Sequence, residues 1–301
     1  MSGGIKTASQ IDPALLRIEE LVRRRSSTDR RMGYIWMTVP LLPALAAVVI
    51  GASLIGVLVS VLPRISSFTQ PQSAQNAITP IAGEVFALYG LAIVTFYGVL
   101  LFGALAFYYL IDRRNRHFGR QQLLFSTLHR YLAAKAPASE NMSRLGQLSE
   151  DSAYGERDRP AGLWAVLFLF MTPVVGLITA YNLTQDLSRH DELQSSYQTT
   201  LVNAFSDAGF QPPTLSPYKF HKRDPVLFII LSAITAGLFW IYWFYTLLKD
   251  YNEHFSDQNR FEDQILNSLI PPEATKPCGV CGGSVPLNAR FCPNCGKAQT
   301  I

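Results

Sequence analysis

Four long stretches of the chain carry no charged residue: Met32 to Pro63, Val85 to Ile111, Pro160 to Gln185 and Pro225 to Leu248. A helix needs roughly 20 residues to cross a hydrocarbon layer of about 30 Å, and each stretch is long enough. One such run could be the buried helix of a soluble core. Four in one chain of 301 residues predict membrane helices. Residues 13–25, PALLRIEELVRRR, space their apolar positions as a short amphipathic helix, and Pro13 suits a first turn. Residues 206–224 contain Gly209, Pro212, Pro213 and Pro217, which interrupt any long helix.

These patterns divide the chain. Residues 1–31 form a cytoplasmic amphipathic N-terminal segment. Residues 32–135 hold the first two transmembrane helices and an exit helix. A flexible linker covers 136–160, with a third transmembrane helix and its exit helix at 161–205. A Pro-rich loop at 206–224 leads to the fourth helix and its exit at 225–270, and residues 276–301 form a zinc ribbon. The expected fold is an all-α membrane protein of four hydrophobic helices with long cytoplasmic or interfacial helical extensions, plus the ribbon.

An internal repeat runs through the exit helices. With His117, His190 and His254 aligned, Tyr108, Tyr181 and Tyr245 stand in one column, and Leu110, Leu183 and Leu247 in the next. After the histidines come Gln121, Gln194 and Gln258, then Leu124, Tyr197 and Phe261, then Leu128, Leu201 and Ile265. From the leucines onward the steps alternate about seven and then four and three residues, which is one stripe of a helix. Each exit helix should therefore pack on its neighbours, with the His and Gln as a polar layer beyond the hydrocarbon. The layer could be a metal or proton site, or interfacial hydrogen bonding that fixes helix register. No Asp or Glu recurs in all three copies to complete a metal shell, which favours hydrogen bonding.

The repeat bears on topology. Four simple spans put the exit after the third segment on the opposite face from the other two. Pro173 and Gly237 occupy one repeat column in mid-segment, and both are helix breakers. Re-entrant hairpins there would put all three exits on one side. Each leg would then be short, and its bend would need shielding from lipid, so four spans are expected.

Composition sharpens this picture. The chain is 49% hydrophobic and 16% charged, against about 25% charged in soluble domains. The first apolar run is too long for a cleavable signal, so the first span is expected to direct insertion. Basic residues gather before the first span (Lys6, Arg17, Arg23, Arg24, Arg25, Arg30, Arg31), from Arg113 to Arg159, and after Lys249. The positive-inside rule then predicts a cell-membrane protein with both termini cytoplasmic. The arginines near residue 25 are read as that topology signal, with contact to anionic lipid headgroups as the alternative. Ala47 and Gly51, and Ala52, Gly56 and Ser60, recur at four-residue spacing and favour close helix packing.

The only cysteines are Cys278, Cys281, Cys292 and Cys295, in two CxxC pairs. That spacing encodes two knuckles around one tetrahedral ion, with all four positions filled by thiolate and none left for water, so a structural Zn2+ is expected. Gly282 and Gly296 follow the second cysteine of each pair, where the chain must turn back. The ribbon's basic residues, Lys276, Arg290 and Lys297, are too few for a phosphate footprint, which makes nucleic acid an unlikely partner. No Gly-rich phosphate loop, HExxH or GxSxG is present, and no small-molecule substrate is indicated. The uncharged segments argue against ion-coupled transport.

The stretch from Ile230 to Phe255 resembles a family of uncharacterised prokaryotic multi-pass membrane proteins. Its pattern is Thr-x-Gly-[Ile/Leu]-[Tyr/Phe]-x-x-Tyr-Trp, then Lys-[Asp/Glu]-x-Asn. Thr235, Gly237, Leu238, Phe239, Tyr242, Trp243, Lys249, Asp250 and Asn252 match it. The resemblance covers about a tenth of the chain and implies architecture without an activity. The expected function is a non-enzymatic membrane scaffold or accessory subunit, set in the lipid bilayer, whose ribbon contacts a protein partner or a second copy. A small-solute channel or transporter is the competing class.

Overall fold

A computed structural model describes residues 12–65, 71–136, 139–214, 222–270, 275–286, 289 and 291–298. Nearly all of it is helical. Asp12 caps α1 (Pro13–Arg23), its side chain accepting from Ala14 N–H at 2.9 Å with Pro13 in the first turn. A single turn, α2 (Arg25–Thr28), and a 3-10 turn at Tyr34–Met37 lead to α3 (Thr38–Ile65). The helix α4 (Pro71–Ala133) continues without interruption from the second apolar segment through its exit stripe. Next come α5 (Glu140–Gly155), α6 (Ala161–Phe170), α7 (Thr172–Asp207), α8 (Pro225–Ile234) and α9 (Leu238–Leu269). Two short antiparallel strands, β1 (Thr275–Pro277) and β2 (Ser284–Pro286), open the cysteine-rich tail.

Two helices, Tyr34–Pro63 and Ala82–Ala133, are long and apolar enough to cross a membrane. The third and fourth apolar segments are not single rods, so the four simple spans expected from the sequence are not confirmed. The third breaks at Met171, with Pro173 in the first turn of α7. The fourth breaks at Ala236 and Gly237, both left-handed, at φ 48° and 90°. After each break the chain runs back along itself. Arg159, before α6, forms a two-pronged ion pair with Asp186 of α7, at 2.7 and 2.8 Å. Arg223, before α8, grips Asp250 of α9 in the same way, at 2.8 and 3.0 Å. A straight helix rises 1.5 Å per residue, so residues 27 apart in sequence would lie about 40 Å apart on one rod. Both segments are therefore hairpins with the same salt-bridge clamp at the base.

The fourth-segment pattern Thr-x-Gly…Trp…Lys-Asp-x-Asn builds its hairpin. Thr235 Oγ1 accepts from Phe239 N–H at 2.9 Å and stands in as a cap for α9. Trp243 donates to Thr184 Oγ1 across to α7 at 2.9 Å. Asn252 binds the backbone of Met32 on both edges, at 2.9 and 3.1 Å. The segment at 136–160, expected to be a flexible linker, contains the helix α5. Its apolar face (Met142, Leu145) is buried on α4 and α7, because Met142, Leu145 and Leu148 recur at helical spacing within an otherwise polar run.

Burial follows the stripe read from the repeat. The Leu, His, Gln and later apolar columns of α4, α7 and α9 are all buried. Two apolar clusters stack along these helices. One gathers Phe107, Leu110, Leu183, Trp243, Phe244 and Leu247. The other gathers Leu124, Leu128, Leu201, Phe205, Phe261 and Ile265, and receives Leu15, Ile18, Leu21 and Val22 of α1. A buried polar layer separates them. On the small-residue face of α3, Ser60 donates to Glu84 of α4 at 2.5 Å, while a Cβ placed on Gly51 or Gly56 has open space around it.

Candidate functional sites

The polar layer centres on the three repeat histidines, each fully buried. Their rings form a near-equilateral triangle with centroids 4.9, 5.0 and 5.4 Å apart. Phe118 stacks on His190 at 4.1 Å, and Phe255 lies 4.5 Å from His117. Each ring faces its own carboxylate through Nδ1. His117 meets Asp29 at 3.0 Å, His190 meets Glu156 at 2.5 Å, and His254 meets Asp191 at 2.8 Å. A carboxylate only accepts, so the Nδ1 atoms of His190 and His254 carry the hydrogen. His117 Nδ1 faces Asp29 from 3.0 Å without hydrogen-bond alignment, and the charge of that carboxylate favours the same tautomer, so each Nε2 of a neutral ring presents a lone pair. Those lone pairs turn inward: His117 Nε2 and His254 Nε2 are 3.0 Å apart, and His190 Nε2 has no hydrogen-bond partner. Burial, helped by the neighbouring histidines and opposed by Asp29, pushes the pKa of His117 down to about 3, which keeps the ring neutral.

No acid recurs in one column of the three copies, as the sequence showed, yet each ring has a carboxylate beside it. Three acids complete the layer, but none belongs to a repeat column. Asp29 comes from the N-terminal segment just after α2. Glu156 is the residue that closes α5, and Asp191 merely follows His190. No period connects them, so the repeat gave no sign of them. One turn beyond the histidines, Glu262 accepts from Gln121 at 2.5 Å and Gln258 at 3.2 Å. Arg120 spans Glu262 and Asp29, at 2.9 and 2.8 Å. Burial raises the Glu262 carboxyl above its ordinary value, against the pull of Arg120. Gln194 is buried with neither amide atom bonded.

The second site is the cysteine tail. The four sulfurs all lie within 4.8 Å of one another, with Cys278 Sγ 3.7 Å from Cys295 Sγ and Cys281 Sγ 3.6 Å from Cys292 Sγ. Four sulfurs bonded to one tetrahedral ion at about 2.3 Å stand about 3.8 Å apart, so the cluster can hold a metal ion. The two knuckles match in their backbone bonds. Gly282 N–H donates to Cys278 O, and Gly296 N–H to Cys292 O, both at 2.9 Å. Both glycines are left-handed, at φ 67° and 68°, a conformation with no Cβ penalty for glycine. Val280 N–H points at Cys278 Sγ from 3.5 Å, the kind of donor that stabilises a thiolate. No disulfide joins the four.

No family model, curated protein or solved structure matches the chain. The reading of its function therefore rests on the geometry of these sites and on where its apolar surface lies.

Proposed function

We propose that the chain is a multi-pass cell-membrane protein, non-enzymatic, with both termini cytoplasmic. It serves as an anchor or accessory subunit that presents a zinc ribbon to a protein partner. One observation carries this reading, the inversion of burial along the single helix α4. Over residues 85–101 its large apolar side chains point outward: Val85, Phe86, Tyr89, Val94, Phe96, Tyr97 and Leu101 are exposed. Over the next turns the same helix buries Arg113, Arg114, His117, Arg120 and Gln121. Soluble monomers seldom expose contiguous apolar patches beyond a few hundred Å². Lipid is the solvent that makes the first half of the helix stable, and water suits the surface of the second.

On this reading α3 and α4 span the bilayer. The hairpins α6–α7 and α8–α9 enter it and return, with Phe170, Val174, Ile234 and Leu238 facing lipid. All three exit helices then emerge on the cytoplasmic side. The resident ion of the tail is Zn2+, since a closed four-thiolate site is its commonest structural setting. Val280 and Phe291 are exposed on the ribbon, an apolar surface suited to protein contact. The resemblance to multi-pass proteins of unassigned activity agrees with an anchoring role.

Lone cysteines at Arg130, Ser196 and Arg260 test the membrane reading, in a chain whose ribbon cysteines are replaced by serine. All three should react with a membrane-impermeant maleimide in inverted vesicles and none in right-side-out vesicles. Release of the chain by alkaline carbonate, or labelling of Ser196→Cys from the outside, would overturn it.

A further inference from the structure

We propose that His117, His190 and His254 form a second metal site, binding one borderline transition ion of the zinc class through three imidazole Nε2 atoms. The site is independent of the ribbon and of the membrane reading, because it stands on the centre's own geometry.

Three features point to it. The first is hydrogen count. With each Nδ1 turned to a carboxylate, bonded at His190 and His254 and 3.0 Å away at His117, the Nε2 atoms of the neutral His117 and His254 rings meet at 3.0 Å with no hydrogen to share. Two lone pairs at that distance repel, and a cation between them removes the repulsion. The second is the third ring. A single proton could bridge His117 and His254, but it would leave His190 Nε2 buried without a partner. A metal ion takes all three. The third is shape. Three imidazoles bonded to one tetrahedral ion at about 2.0–2.1 Å place their ring centroids about 5.2 Å apart. The observed separations are 4.9, 5.0 and 5.4 Å. The three candidate ligand atoms lie within 4.8 Å of one another, and slight ring rotations bring them to the spacing of one coordination sphere.

The donor set selects the ion. Three neutral imidazoles, with no carboxylate oxygen among the proposed ligand atoms, suit zinc, copper, cobalt, nickel or ferrous iron, and do not suit Mg2+ or Ca2+. Histidine ligands usually donate their other N–H to a carboxylate, which fixes the tautomer and raises the basicity of the ligating nitrogen. Here Glu156 and Asp191 do so for His190 and His254, and Asp29 faces His117 Nδ1 from 3.0 Å. The complete burial of the rings makes the ion a structural clamp on α4, α7 and α9. Through Asp29 and Glu156 the clamp also holds the N-terminal segment and the end of α5.

The test uses the full chain in mild detergent, stripped with chelator and reloaded with Zn2+ alone. The native chain should hold two zinc ions. A chain with Cys278→Ser, Cys281→Ser, Cys292→Ser and Cys295→Ser should hold one. Adding His190→Gln should remove that one. Should the histidine variant fail to fold, Asp191→Asn in the cysteine-free chain should weaken zinc affinity by about 10–100-fold. Cu2+ in the cysteine-free chain should also give an electron paramagnetic resonance spectrum with nitrogen couplings from several imidazoles. A cysteine-free chain that keeps its helical circular dichroism and binds no zinc overturns the proposal. So does zinc bound with the same affinity after both Asp191→Asn and His190→Gln. A centre that holds a shared proton instead gives the first of these results.

Discussion

Arg120 joins more of the buried charge than any other side chain in the polar layer. Its guanidinium serves Asp29 and Glu262 together, and both acids sit where water cannot replace it. Removing one partner of a buried charge pair costs about 3–5 kcal/mol, because the other charge is left uncompensated. Arg120→Met should lower the melting temperature in detergent sharply, while Arg17→Ala, which breaks an exposed pair with Glu20, should shift it little. A melt in which the two variants match would show that the layer is hydrated. At the cysteine tail, Cys292→Ser should abolish metal binding by the four-sulfur cluster while leaving the helical circular dichroism unchanged, since the sulfurs organise only their own knuckles. The ribbon was legible because its spacing is the coordination geometry written along the chain. The histidine centre was only half legible. Its rings share a period, whereas Asp29, Glu156 and Asp191 reach it from an N-terminal segment, the end of α5 and the position after a ring, which periodicity does not record.

Among the elements, the hairpins show how a break is built. Gly237 heads α9 at φ 90° and Ala236 precedes it at φ 48°. A side chain in the left-handed region costs roughly 1–2 kcal/mol. Gly237→Ala should therefore destabilise the protein by about that amount, and Ala236→Gly should stabilise it by up to about 1 kcal/mol, as the strain it relieves outweighs the freedom it adds. Thermal melts of the two variants should move in opposite directions. Pro173 and Gly237 marked both breaks in the sequence, yet counting residues against bilayer thickness favoured straight spans. The deciding signal was Arg159 and Arg223, each 27 residues before its Asp, a pairing that makes sense only for a chain that returns. The exit stripe was legible because burial on α4, α7 and α9 obeys one helical period. The helix α5 was not, because a few apolar residues in a polar run resemble a linker until α4 and α7 supply the surface they cover.

At the scale of the molecule, two apolar clusters with a polar layer between them make one stalk from three helices that are distant in sequence. Under the proposed membrane reading, protease added to inverted vesicles should cut the cysteine tail, and protease added to right-side-out vesicles should spare it. The opposite pattern would reverse the orientation. The clamped hairpins have a further consequence, for biogenesis. A strand of chain that goes in and comes back never has to carry its flanking charges through the hydrocarbon, where each costs several kcal/mol. On the proposed reading, only the connection between α3 and α4 needs translocation. The Arg159–Asp186 and Arg223–Asp250 clamps could close on the ribosome's own side, before or while the apolar legs sink into lipid. The two hairpins are then self-contained plugs that can enter a bilayer late. An acceptor tag placed in the α3–α4 connection should be modified on the far side, and the same tag placed between α7 and α8 should never be.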